Sequence, residues 1–174
     1  MKKYELTAEF IEQWGKKLFR IKALISFGSV EAGELGGYVE KEDNLAQDGD
    51  AWVCDNAWVC DNVMVYGDAR VYGDARVCGD AWVYGDARVY GDARVCGDAR
   101  VCDNADYLLI GRIGSRFSFT TFFKNKDKGI TVSCGCFLGT IAEFRAKVTD
   151  THGNNKHAKI YNLAADMAEL QILG

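Results

Sequence analysis

Proline is absent from all 174 residues, and histidine occurs only twice, at His152 and His157. Without proline no backbone donor is lost, which suits an architecture hydrogen-bonded along its whole length. Histidine, the commonest general base, is missing from the whole central region. No stretch approaches the roughly 18 apolar residues of a membrane-spanning helix, so contact with a membrane is not expected. Lys2-Lys3-Tyr4-Glu5 leads into polar sequence, so no secretory leader is expected at the N-terminus. The 7 cysteines are odd in number and lack the spacing of a disulfide framework. They are expected as reduced thiols in a cytoplasmic protein.

What the sequence has in abundance is a six-residue unit, Gly-Asp-Ala-Arg-Val-Tyr, running through residues 49–106. Val53, Val59, Val65, Val71, Val77, Val83, Val89, Val95 and Val101 fall six apart without a slip. A small residue stands two places before each, alanine everywhere except Val63. So short a unit cannot bury a core of its own, so neighbouring coils must stack. Strand alternation turns Ala69 and Val71 to one side and Arg70 and Tyr72 to the other. The apolar pair must face inward. Gly73-Asp74 makes the corner, glycine tolerating a positive φ and aspartate bonding nearby amides.

Three such strands per coil predict an 18-residue, three-sided turn with unequal outer faces. The first carries Trp52, Arg70 and Arg88 beside Cys54, Tyr72 and Tyr90. On the second stand Trp58, Arg76 and Arg94 beside Cys60, Cys78 and Cys96. The third has Met64, Trp82 and Arg100 beside Tyr66, Tyr84 and Cys102.

Three parts are expected: an N-terminal strand-rich cap (1–44), the repeat (45–106) and a C-terminal strand–strand–helix–helix module (107–174). In the cap, Trp14-Gly15 between apolar stretches predicts a hairpin, with a short helix capped by Thr7 as the alternative. The solenoid is expected to begin near residue 38 with an irregular coil. After the repeat, residues 107–113, 117–124 and 130–134 read as strands, the last two joined by a turn at 125–129. Thr140-Ile-Ala-Glu143 is a capping box that opens a helix, closed at His152-Gly153. A second helix is expected from Asn155 to about Gln171. Charge divides unevenly: residues 45–106 hold 12 Asp against 5 Arg, whereas 107–174 hold 9 Lys and Arg against 5 acidic residues. The acidic shaft makes extended nucleic acid an unlikely partner on electrostatic grounds.

The unit resembles the hexapeptide motif of left-handed parallel β-helices, an aliphatic residue followed four places on by a small one, as in Val65-Tyr-Gly-Asp-Ala69. It departs by placing Tyr or Cys after the valine. The resemblance implies handedness and, in many such proteins, acyl transfer by a histidine at a trimer interface; here only His152 could be that base. It also implies a homo-oligomer, with a trimer favoured, while bactofilins, which stack six-residue units too, suggest a filament scaffold. Gly33-Glu-Leu-Gly-Gly-Tyr38, the Gly-Asp-Ala-Arg units, Cys134-Gly-Cys-Phe137 and His152-Gly-Asn-Asn155 resemble short solenoid proteins of phages and gut bacteria. That setting implies a counter-defence protein sequestering a nucleotide signal.

Arginine offers a planar fork for phosphate or carboxylate, and aromatic neighbours stack on rings. The expected function is therefore non-enzymatic binding of a small nucleotide-like anion. The candidate residues are Arg70, Arg76, Arg88, Arg94, Arg100, Trp52, Trp58, Trp82, Tyr72 and Tyr90, with Arg112, Arg116 and Lys124 in the C-terminal module. Cys134-Gly-Cys136 lacks the further ligands a zinc site needs and is expected to pack in the core. No metal or cofactor is expected.

Overall fold

The computed structural model describes residues 2–174. Strands β1 (Tyr4–Gln13) and β2 (Lys16–Ala23) form the expected hairpin, turning at Trp14-Gly15, both with positive φ. Thr7 lies within β1, so the alternative helix does not form. Strand β3 (Leu35–Val39) runs antiparallel to β2 and then parallel to β5 (Trp58–Val59), with Val39 beside Val59. Coil geometry thus begins at the expected position, before the sequence starts to repeat.

From β4 (Trp52–Val53) to β12 (Arg100–Val101), two-residue strands recur every six positions. They assemble into three parallel faces, β4-β7-β10, β5-β8-β11 and β6-β9-β12, in 18-residue register: Trp52 beside Arg70 beside Arg88. Every repeat alanine and valine is at most 1% exposed, while the residue between them points outward. At the corners, Gly67, Gly73, Gly79, Gly85, Gly91 and Gly97 take φ between 62° and 78°. Asp55 and Asp61 replace glycine in two corners and adopt the same left-handed backbone at 54° and 63°.

The ladder has a direction, and this determines what each end requires. Amides of one coil donate to carbonyls of the next, as in Trp52 N–H to Ala69 and Tyr72 N–H to Val89. The first coil is left with unpaired carbonyls and the last with unpaired amides. Donors close the first end: Lys3 Nζ reaches the carbonyls of Asp48, Gly49 and Ala51, and Asn44 Nδ2 those of Asp61 and Val63. Acceptors close the other end, where Arg88 N–H meets Asn104 Oδ1 and Arg94 N–H meets Thr121 Oγ1, both at 3.0 Å.

Those acceptors introduce the C-terminal module. Strands β13 (Tyr107–Ile113), β14 (Ser118–Lys124), β15 (Ile130–Cys134) and β16 (Phe137–Thr140) form a sequential antiparallel sheet. Helices α1 (Ile141–His152) and α2 (Lys156–Leu173) follow, capped by Thr140 and Asn155. The expected strand–strand–helix–helix sketch understates the sheet, because β16 was hidden behind Gly135. That glycine takes φ +61° and folds β16 back on β15, pairing Cys134 with Phe137. In β14, alternation sends Phe122 into the module core and Phe123 into the shaft core. Asp106 fastens the joint: only 5% exposed, it accepts from Cys102 N–H, Cys102 Sγ, Asp103 N–H and Lys124 Nζ.

Candidate functional site

The outer columns of the shaft lie where the 18-residue register predicts, but much of their surface is already occupied. Trp52 is fully buried, with Tyr4 and Phe27 edge-on to its ring. Trp58 is 5% exposed beneath Trp14 and Arg76. Both were expected on an open face. The N-terminal cap covers them because the first coil would otherwise expose its apolar rim. Arg70 lies against the Gly28 loop beside Asp50. Arg100 stacks on Trp82 at 4.4 Å and donates to the carbonyls of Asp80 and Ala99. Lys124 is committed to Asp106 at 2.8 Å. Arg112 sits over the Phe119 ring at 5.9 Å.

Two clefts gather the remaining shaft candidates. Arg76 and Arg94 line a small one with Asp74 and Asp92, whose carboxylates balance their charge. At the seam between shaft and module, Arg88, Tyr72 and Tyr90 line a cleft of about 290 Å³ with Asn104, Tyr107 and Gln171. Tyr72 and Tyr90 stack there at 5.7 Å.

A third cavity, about 230 Å³, lies within the module and brings its separate motifs together. Local geometry places each contributor. The β15–β16 turn supplies Cys134, Gly135, Cys136 and Phe137. One side of α1 supplies Phe144, Val148 and His152 at four-residue spacing, with Lys147 and Thr151 beside them. Ser115 and Arg116 come from the β13–β14 turn, Ser118 from the start of β14, and Tyr161 from the buried side of α2. The floor is aromatic: Phe144 packs edge-on to Tyr161 and tilted against Phe137, and His152 stacks on Tyr161 at 5.8 Å. Burial pushes the Tyr161 phenol up from its ordinary acidity, so it stays a neutral donor at physiological pH.

The charged groups of the lining are of one sign. They are Arg116 and Lys147, both exposed, and no carboxylate belongs to the lining. Lys147 has a loose, largely exposed partner in Asp150 at 3.6 Å. Cys134 is half-buried and takes a hydrogen bond from Thr120 Oγ1 at 3.3 Å. Cys136 is exposed in the turn, which corrects the expectation that both thiols pack in the core. The strand alternation behind that expectation ends at Gly135. Among the candidates, Arg116 and His152 are the two that meet here. Lys147 and Tyr161 were missed, although Lys147, Val148, Thr151 and His152 share a helix side legible from their spacing.

Of the described residues, Glu40, Cys60 and Asp61 form one group with metal-ligand chemistry. The Lys16 ammonium already bridges its two carboxylates, at 3.0 Å from Glu40 and in contact with Asp61. Burial and the adjoining Asp61 push the Cys60 thiol up, away from the thiolate a metal needs. The residues present do not favour a cation there. All 7 cysteines are free thiols.

Among known families, residues 57–73, 69–85 and 81–97 match the YdcK beta solenoid repeat. The matches start twelve residues apart, two units at a time, and stop within the shaft. No curated protein matches the chain. The repeat similarity supports the solenoid and extends to neither the cap nor the module that holds the cavity.

Proposed function

We propose that this protein is a non-enzymatic binding protein whose C-terminal module captures a small anionic ligand, with the solenoid as its scaffold. The observation that carries the reading is the one-signed cavity: Arg116 and Lys147 beside an aromatic floor that includes the His152 ring, with no carboxylate in the lining. Arginine and lysine suit phosphate or carboxylate, and the rings suit a planar group. At about 230 Å³ the space is below the usual range for drug-sized ligands, so one ring bearing one anionic group fits better than a dinucleotide. A phage-type protein that sequesters a nucleotide-derived signal in a reducing cytoplasm is consistent with this chemistry and with the 7 free thiols. Acyl transfer is less favoured. His152 is stacked on Tyr161, in a cavity lined only by module residues, and not at a solenoid face.

A second reading places the same ligand class at the seam, where the Tyr72–Tyr90 stack and Arg88 offer a ring platform and one guanidinium. Thermal-shift measurements against nucleoside monophosphates, aryl carboxylates and inorganic phosphate separate the two. Ring-bearing anions should raise the melting temperature more than phosphate alone. Saturation at a hundred times Kd corresponds to about 2.7 kcal/mol of stabilisation. Loss of the shift in Arg116→Ala and Lys147→Ala supports the module cavity; loss in Arg88→Ala instead supports the seam. No shift across the whole panel removes both readings.

A further inference from the structure

Cys60, Cys78 and Cys96 form one column on the β5-β8-β11 face, each directly after its strand. Strand register aligns them. Val59 lies beside Val77 and Val77 beside Val95, and the ladder continues as Cys60 N–H donates to Val77 and Cys78 N–H to Val95. Successive thiols therefore stand one rung apart, on side chains that run alongside each other. That placement opposes a disulfide, which needs Cβ atoms about 3.8 Å apart and side chains turned across each other. Neighbouring rungs lie about 4.8 Å apart. Two metal–thiolate bonds of about 2.3 Å, end to end, span about 4.6 Å, which is nearly one rung. Cys60 is buried, and its Sγ donates to Asp61 at 3.3 Å. Cys78 and Cys96, both half-buried, are the available pair.

We propose that Cys78 and Cys96 form a two-coordinate site for a soft monovalent cation of the copper(I) class, held in line between their sulfurs. Ligand chemistry selects that class. Thiolates are the ligands such ions prefer, and a filled d shell accepts two of them in line. Zinc would need four ligands where this pair offers two. Charge agrees. Two thiolates and one monovalent cation leave a single negative charge. Arg76 and Arg94 precede the two cysteines by two positions, on the same outer side, and supply positive charge beside it. The Cys78 thiol draws Cys96 below the ordinary thiol value against its own burial, while Cys78 is pushed up by Cys96 and by burial. Cys96 thus gives up its proton first, and the cation replaces the protons of the pair.

Titration of the reduced full chain with copper(I) against bicinchoninate, without oxygen, tests the site independently of any ligand in the module cavity. Wild type should hold one equivalent against the competitor. Cys78→Ser and Cys96→Ser should each weaken it by more than the roughly 100-fold that an outer-sphere change costs. Serine is close to cysteine in size, so circular dichroism should be unchanged in both. Cys60→Ser and Cys136→Ser should keep the equivalent, and zinc should not displace it. X-ray absorption of the loaded wild type should show two sulfur neighbours, a readout that needs no variant. No equivalent held, an equivalent that survives either Cys78→Ser or Cys96→Ser, its loss in Cys136→Ser, or a third sulfur neighbour overturns the proposal.

Discussion

Replacing Gly79 and Gly97 by alanine, one at a time, separates backbone strain from coil stacking. Both residues sit in the left-handed region, at φ 78° and 69°. An L-residue there costs about 1–2 kcal/mol, and alanine recovers about 0.4–1 kcal/mol by restricting the unfolded chain. Above Gly97 a new methyl meets nothing within 4 Å, so Gly97→Ala should cost about 0.5–1 kcal/mol. At Gly79 the methyl meets the backbone of Gly97 in the next coil, at 2.8 Å from N, 2.9 Å from O and 3.1 Å from Cα. Backbone cannot rotate aside as a side chain can, so overpacking adds about 1–3 kcal/mol. Gly79→Ala should therefore cost roughly 2–4 kcal/mol in total. Urea unfolding followed by circular dichroism and tryptophan fluorescence measures both, with an unchanged slope confirming that the native fold is the one compared. Equal losses in the two variants would refute the 18-residue register, because only that register stacks Gly79 beneath Gly97.

The two closures of the ladder give further outcomes. Lys3→Met removes the donor to three carbonyls of the first coil and should cost about 1–3 kcal/mol, seen as a lower melting temperature. Asp106→Asn turns an amide N–H towards donors from which the buried carboxylate now accepts, while the Lys124 ammonium stays in water, and should cost about 1–3 kcal/mol. Burial opposes the Asp106 charge, but hydrogen bonds from Cys102 and Lys124 outweigh it and hold the carboxyl below its ordinary value. A depressed carboxyl contributes its full stability above the unfolded pKa of about 4 and loses it as pH falls through the lower folded value. Wild type should thus lose more stability than Asp106→Asn on acidification below about pH 4; parallel acid titrations of the two would contradict that assignment.

The shaft was legible because each of its positions has one physical job. Val71 and Ala69 must be inside, Gly73 must turn, and six-residue spacing fixes both without reference to the rest of the chain. The faces were legible for the same reason, down to Trp52 beside Arg70. What covers them was not. Trp52 and Trp58 carry the outward-facing pattern, and their burial depends on Tyr4, Phe27 and Trp14, which lie 25 to 48 residues earlier and belong to no repeat. The cavity was half legible: Arg116 and His152 stood out by chemistry alone. That they meet depends on a β15–β16 hairpin, which the lone Gly135 signals only weakly, and on Tyr161 reaching across from another helix.

Chemical-shift mapping of the amide spectrum, during titration with whichever ring-bearing anion gives the largest thermal shift, tests the central claim most directly. The account predicts saturable changes centred on Cys134, Gly135, Cys136, Lys147, His152 and Tyr161, with the shaft signals of Arg70 and Arg100 unmoved. Changes confined to the outer columns of the shaft, with the module cavity silent, would contradict it.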